Sequence, residues 1–389
     1  MQIAIKQILE ERKKQNLNRQ FVEIQKNFKN PSNILANGKS AVNFCSNDYL
    51  RLSLHPEVCK AMLDGVNEYG VGSGGTRNIS GTNTPHHQLE NIIAKMHNKG
   101  RALLFSSAYA ANVGALFAIG KYLPNVIFFS DEKNHASIVH GINYSAAKKV
   151  IYKHNDLQNL EECLIDCLAQ NSKNCIPVIV CEGVYSMSGT VTDLKKLKEI
   201  AIKYGAMIYL DEVHCVGIYG KGKGLSAEQG VEIDIINGTL GKAFGVFGGY
   251  ISASDDIVDF VKSFATTFIF STSLPPSLCM AAIEAIKIAT TQNNMQEKFW
   301  QNILHLKNQL QKLNIDIINT KSHIISVKIG REGVVKEISQ KMLEMGFYVQ
   351  PIFYPTVALG KAILRVTISP FHTILEINEF TQALKLCMN

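Results

Sequence analysis

Met207-Ile208-Tyr209-Leu210-Asp211-Glu212-Val213-His214 and Ile235-Ile236-Asn237-Gly238-Thr239-Leu240-Gly241-Lys242 are two short apolar runs, each ending in a polar, charged cluster. Runs this short and this rich in Ile, Tyr and Leu read as buried strands rather than helices. Five more runs have the same character: Ala102–Phe105, Val126–Ser130, Val150–His154, Pro177–Cys181 and Gly249–Ala253. Amphipathic helical periods lie between most of them, most clearly Leu157–Leu168 and Leu194–Tyr204. Continuous apolar strands alternating with helices predict a mostly parallel seven-stranded α/β sheet covered on both faces. Chemistry in such sheets gathers beyond the carboxyl ends of the strands, where Asp211 and Lys242 fall.

Outside this block, residues 1 to about 40 read as a helix followed by a polar, Asn-rich connection. After Leu274-Pro275-Pro276 comes a helical stretch from 277 to about 313. It is followed by a strand (Ile324–Ile329), a helix (Val335–Met345), strands Tyr348–Ile352 and Leu364–Ile368, and a final helix. The expected division is an N-terminal helical arm (1–46), a large catalytic domain (47–280) and a smaller α+β C-terminal domain (281–389).

A carboxylate and a lysine emerging from neighbouring strand ends suit pyridoxal phosphate (PLP). The lysine would bond covalently to the cofactor's aldehyde, and the carboxylate would keep the pyridine nitrogen protonated so that the ring can accept carbanion electrons. Two other readings of the nearby glycines fail. Gly241-Lys242 is not a Walker A loop, because Ile236 stands where the earlier glycine belongs and no Ser or Thr follows the lysine. Gly70-Val71-Gly72-Ser73-Gly74-Gly75 fits GxGxxG but follows a helical pattern, Pro56–Tyr69, instead of a strand. Ser106-Ser107-Ala108-Tyr109 joins a strand to a helix start, where free N–H groups can hold a phosphate. An ordinary capped turn would look the same, and Lys242 tips the reading toward the phosphate, with Thr239 placed to add a hydroxyl. His135 follows a strand end. It is a structural histidine or, in a PLP site, a ring stacked on the pyridine.

The 389 residues carry 40 Lys+Arg against 33 Asp+Glu, and 46% are hydrophobic. The basic residues are scattered over amphipathic segments, so nucleic acid is not indicated. Nine cysteines without a CxxC spacing read as reduced core residues. His135 and His140 lack metal-ligand spacing and HExxH is absent, so no metal is expected. No apolar stretch approaches the ~18–20 residues of a membrane span. The N-terminal segment has no signal or transit character, and a soluble, cytoplasmic protein is expected.

With these residues in view, the chain resembles the α-oxoamine synthases, fold type I PLP enzymes that condense an amino acid with an acyl-CoA and release CO2. The resemblance runs from about Arg19 to Pro370. It includes Asn47-Asp48-Tyr49-Leu50, Tyr185-Ser186-Met187, Phe268-Ile269-Phe270-Ser271-Thr272-Ser273 and Tyr354-Pro355-Thr356-Val357. Gly74-Gly75-Thr76-Arg77-Asn78-Ile79-Ser80-Gly81-Thr82 is most similar to members that use glycine and succinyl-CoA. Another acyl-CoA, or an aminotransferase reaction, is the alternative.

The resemblance implies roles residue by residue. Lys242 would bind PLP covalently, Asp211 would pair with the ring nitrogen, and His135 would stack on the ring. Ser186 and His214 would bond the phenolic oxygen. Ala108, Tyr109 and Thr239 would hold the phosphate, joined by Ser271 and Thr272 of a second subunit in an obligate homodimer. Asn47 and Arg365 would hold the glycine carboxylate, and Arg19, Thr76 and Asn78 the succinyl carboxylate. Ser130, Lys149 and Thr356 would line the acyl-CoA site. Arg51 stands at a usual glycine position, so the turn there is expected to avoid positive φ or to rearrange. Ser188, Thr190 and Cys215 also depart from the pattern.

Overall fold

The computed structural model describes residues 1–170, 175–318 and 321–389. It divides into two compact units, Leu50–Tyr185 with Thr190–Gln296, and Met1–Tyr49 with Ser186–Gly189 and Glu297–Asn389.

The first unit is built on a seven-stranded sheet among the described residues. Its spatial order is Arg101–Phe105, Gly249–Ala253, Ile235–Thr239, Met207–Asp211, Ile176–Glu182, Val126–Asp131, Lys148–Tyr152. Only Gly249–Ala253 runs antiparallel to its neighbours, so the mostly parallel expectation holds. Three strands, Met207–Asp211, Ile235–Thr239 and Gly249–Ala253, have the bounds read from sequence, and the rest shift by one or two residues. Val126–Asp131 is buried at every position, as a sheet covered on both faces requires. Helices Ala108–Tyr122 and Asp255–Phe264 bury Ala111, Ala115, Val258 and Val261 against Leu103, Val178, Tyr209 and Ile251. The antiparallel strand passes very close to the start of Ala108–Tyr122. A Cβ at Gly249 would lie 2.1 Å from the Ala108 nitrogen, so this crossing admits only glycine.

The second unit holds two small sheets. Asn33–Ala36 pairs with Ile24–Lys26 and Lys39–Asn43, and Lys39–Asn43 with Phe347–Tyr348; Ala362–Val366 lies between Ile325–Gly330 and Pro351–Ile352. Residues 24–43 are thus strands where sequence suggested only a polar connection. Their polar residues lie mostly on exposed positions, and the buried residues of these strands are Ile34, Ala36 and Ala41 with Asn43 at the end of the last. The segment read as one strand, Tyr348–Ile352, serves two different sheets. The long helical stretch is two helices, Pro276–Thr291 and Asn294–Lys312, separated where Gln292 takes φ −106° and ψ 73°. Thr373 caps the last helix, Ile374–Met388, through a reciprocal pair with Glu376.

Arg51 corrects one expectation. It adopts φ +58°, the left-handed conformation of the glycine it replaces, and is 5% exposed. The turn has neither avoided positive φ nor rearranged, and a non-glycine residue held there carries a strain of order 1 kcal/mol.

Candidate active site

In the larger unit, the strand ends place Asp211, Lys242, His214 and His135 around one floor. Asp211 is 2% exposed and ends its strand with both carboxylate oxygens engaged. Oδ2 accepts from Asn112 Nδ2 at 2.6 Å and Asn237 Nδ2 at 3.0 Å, and Oδ1 accepts from Val213 N at 3.0 Å. Three donors fix the direction in which this buried charge points. Asn112 also donates to Ser137 Oγ (2.9 Å) and accepts from Tyr209 Oη (2.8 Å). Lys242 Nζ is 3.0 Å from His214 Nε2, and His214 is buried.

His135 caps the helix Ala136–Ser145. Its Nδ1 accepts from the backbone N–H of Ser137 at 3.2 Å and lies 2.8 Å from Ser137 Oγ. A backbone amide can only donate, so the proton of the neutral ring sits on Nε2 and is available to a ligand. Burial lowers the His135 pKa from its usual 6.5, with Asp211 acting in the opposite direction. The His135 backbone N–H donates to Glu182 Oε1 at 2.7 Å. Glu182 pairs across the sheet with Asp211, and burial first, then Asp211's charge, push its carboxyl well above the usual range.

The helix Ala108–Tyr122 starts beside this floor. Ser107 Oγ accepts from Ala110 N at 3.1 Å, leaving the first-turn N–H groups of Ala108 and Tyr109 without helical partners. Thr239 uses its hydroxyl on the adjoining turn, donating to Gly248 O (3.2 Å) and accepting from Gly241 N (3.1 Å).

The loop bearing Thr76 and Asn78 is clamped in place. Arg77 grips the buried Glu90 through two bonds of 2.8 and 3.0 Å, and Ser273 Oγ donates to Gly81 O at 2.6 Å. Thr76 Oγ1 is buried without a hydrogen-bond partner, whereas Asn78 is exposed. Thr272, next to Ser271, pairs with Thr76 in an isolated antiparallel bridge. Ser130 is 2% exposed, and its hydroxyl accepts from Asn134 Nδ2 at 2.9 Å, which places it inside the sheet. Lys149 is exposed on the edge strand and bonds Asn143.

The smaller unit carries a separate cluster. Arg365 is 6% exposed, yet among the described residues its guanidinium meets neutral acceptors alone: Ser186 O (2.7 Å), Asn47 Oδ1 (2.9 Å) and Tyr49 Oη (3.1 Å). Arg19 lines an open cleft with Gln20, Lys336, Gln340 and Tyr348, and Thr356 is exposed.

Sequence reasoning brought together Asp211, Lys242, His214 and His135, and paired Asn47 with Arg365. It missed the supports Asn112, Asn237, Ser137, Glu182 and Tyr49. Asn112 and Asn237 left a signal, as single amides inside an apolar helix and an apolar strand.

The donor set fits PLP: a lysine and a buried, oriented carboxylate from neighbouring strands, with first-turn helix N–H groups that have no helical partner and can meet a phosphate. Fold and site together define a PLP-dependent enzyme of fold type I. The model of the family "Aminotransferase class I and II" matches residues 39–384. A 5-aminolevulinate synthase of Bradyrhizobium diazoefficiens is 43% identical over 89% of this chain and 85% of its own length. One of Rickettsia bellii is 41% identical over 94% and 88%. The erythroid-specific mitochondrial 5-aminolevulinate synthase of Danio rerio is 43% identical over 89% of this chain, which spans 60% of that relative's length.

Among solved structures, serine palmitoyltransferase from S. paucimobilis with a bound PLP–myriocin adduct has a TM-score of 0.88 at 27% identity, covering 94% and 92% of the two chains. The 8-amino-7-oxononanoate synthase of Francisella tularensis gives 0.75 at 27% identity, covering 89% and 97%. The chain belongs to the class I and II aminotransferase family and, within it, to the 5-aminolevulinate synthases.

Proposed function

We propose that the chain condenses glycine with succinyl-CoA, releasing CoA and CO2 and giving 5-aminolevulinate, a precursor of tetrapyrroles. The observation that carries the reading is Arg365: a buried guanidinium held, among the described residues, by neutral acceptors alone calls for a ligand carboxylate. Glycine's carboxylate answers that need, gripped in the planar fork that Arg offers.

Lys242, Asp211, His135, His214, Ala108 and Tyr109 would hold PLP, which would supply an electron sink for a carbanion at the glycine α-carbon. Lys242 Nζ removes the α-proton, and His214, 3.0 Å away, accepts a hydrogen bond from the lysine and holds it in place. Asp211 is kept in one orientation by Asn112 and Asn237, and its charge would keep the cofactor's ring nitrogen protonated. His135 Nε2–H donates to the thioester carbonyl as negative charge grows on its oxygen. Thr76, whose buried hydroxyl has no hydrogen-bond partner among the described residues, meets the succinyl carboxylate together with Asn78.

A homodimer completes the reading, with Ser271 and Thr272 serving the other copy. Its support is the exposed apolar side chains beside them: Phe270 is 79%, Ile79 85% and Val71 83% exposed. The cytoplasm is the compartment proposed, and among the described residues no helix is long and apolar enough to cross a membrane.

The test is exchange of the glycine α-hydrogen with deuterium oxide in the absence of any acyl-CoA. Wild type exchanges it and Lys242→Ala does not. Equal exchange by both would remove Lys242 from the proton transfer.

A further inference from the structure

The cleft that Arg19 lines in the smaller unit, about 480 Å3, is walled on one side by residues 18–22 and on another by the helix Glu332–Glu344. Arg19 stands in a stretch, residues 17–23, that is neither helix nor strand, so no regular ladder of backbone bonds fixes it. Side chains hold the stretch instead. Arg12 Nη2 donates to Leu17 O at 3.0 Å, and Leu17 is buried. Lys336, reaching from the helix, donates through Nζ to both the backbone O and the side-chain Oδ1 of Asn18, each at 2.9 Å. The same ammonium lies 4.7 Å from the centre of the Phe353 ring, on the wall of the cleft. The helix start comes close to the chain here, since a Cβ at Gly333 would crowd Asn16 Nδ2 at 3.2 Å.

Asn18 immediately precedes Arg19. An exposed arginine on an irregular segment would be ordered only when its ligand arrives, and ordering even one residue's backbone subtracts from affinity. Lys336 removes that cost in advance. Two bonds from one ammonium to one residue fix the carbonyl and the side chain at position 18, and with them the direction in which the chain presents Arg19. Glu337, a carboxylate on the same wall, is engaged by Lys341 at 2.8 Å, which leaves the Arg19 charge for a ligand.

We propose that Lys336 is a positioning residue: by gripping Asn18 it holds Arg19 where its guanidinium meets the carboxylate end of the acyl-CoA. The proposal rests on the reading of Arg19 as a contact for the succinyl carboxylate.

The test measures dissociation constants of succinyl-CoA, and of butyryl-CoA as the chain of equal length without the carboxylate, by titration calorimetry of the PLP-loaded protein without glycine. Arg19→Met is expected to weaken succinyl-CoA about 10- to 100-fold, the size of a charge-assisted contact, and butyryl-CoA less than about twofold. Lys336→Met keeps the stem but loses the donors. It is expected to weaken succinyl-CoA roughly five- to thirtyfold, the cost of ordering one residue on binding, with butyryl-CoA again within about twofold. Lys336→Arg, whose fork can still span both oxygens of Asn18, stays within about threefold of wild type. In the Arg19→Met background, Lys336→Met adds less than about twofold, because the clamp has nothing left to position. An undiminished penalty in that background, or an equal loss of butyryl-CoA, overturns the proposal, since Lys336 would then touch the ligand itself or only support the fold. Wild-type binding of succinyl-CoA by Lys336→Met, with Arg19→Met impaired, also overturns it and leaves the reading of Arg19 standing. Unimpaired binding of succinyl-CoA by Arg19→Met overturns that reading and the proposal together.

Discussion

Replacing Asn112 probes the support beneath the site most sharply, because this single amide serves three buried partners. It is 1% exposed, donates to Asp211 Oδ2 at 2.6 Å and Ser137 Oγ at 2.9 Å, and accepts from Tyr209 Oη at 2.8 Å. Asn112→Ala removes one bond to a charged group, worth about 1.5–3 kcal/mol, and leaves the buried Tyr209 hydroxyl unsatisfied at about 1–3 kcal/mol. A total near 3–5 kcal/mol follows, since Asp211 keeps Asn237 and Ser137 keeps His135. With an unfolding entropy of about 2.1 cal/mol/K per residue, that is a fall in Tm of about 4–6 °C for this chain. Asn112→Asp is expected to be worse at pH 8 than Asn112→Ala, although it is nearly isosteric. It sets a second carboxylate against Asp211 at hydrogen-bonding distance, and the excess penalty shrinks on acidification as one of the pair takes a proton. Calorimetry of the apoprotein across pH reads both effects. An Asn112→Asp variant as stable as wild type at pH 8 would refute the network described for Asp211.

Three further outcomes follow from the same geometry. Arg365→Lys keeps the charge but cannot reach three acceptors in a plane, so the glycine KM should rise about 10- to 100-fold with a smaller change in kcat, and an unchanged KM would remove Arg365 from the carboxylate grip. Burial raises the Glu212 carboxyl from 4.5 to about 7, so the folded chain holds this proton more tightly than the unfolded chain. The stability this confers is complete below pH 4.5 and is lost by about pH 7. Because Glu212→Gln cannot ionise, denaturation midpoints should move in its favour over that window, by at most about 3 kcal/mol, and a constant difference would contradict the assignment. Gly249→Ala puts a Cβ 2.1 Å from the Ala108 nitrogen and should displace the helix start, lowering both Tm and PLP retention; normal retention would show that this crossing does not position the phosphate end.

Where sequence predicted well, a single physical constraint dominated. Met207–Asp211 and Ile235–Thr239 are buried on both faces, so their runs coincide with their strands, and the site is marked by Asp211 at the end of the first and Lys242 three residues beyond the second. The strands at 24–43 escaped notice because small, half-exposed sheets bury few side chains and keep polar alternation. Tyr348 to Ile352 reads as one strand because residue type does not report which partner a backbone takes. Arg51 was misjudged because only the three-dimensional packing reveals that an arginine is held at positive φ. Among site residues, the charged groups at strand ends were legible. Asn112, Ser137 and Glu182 were not, because they act through Asp211 and His135, and Asn112 and Glu182 stand on elements far in sequence from the groups they hold.

The central claim is tested most directly by incubating the PLP-loaded protein with glycine and succinyl-CoA and quantifying 5-aminolevulinate, with acetyl-CoA plus glycine and pimeloyl-CoA plus alanine run in parallel. The account predicts product from the succinyl pair alone. Product only from another pair would contradict the assignment of Arg19, Thr76 and Asn78 to the succinyl carboxylate while leaving Lys242 and Asp211 in their roles.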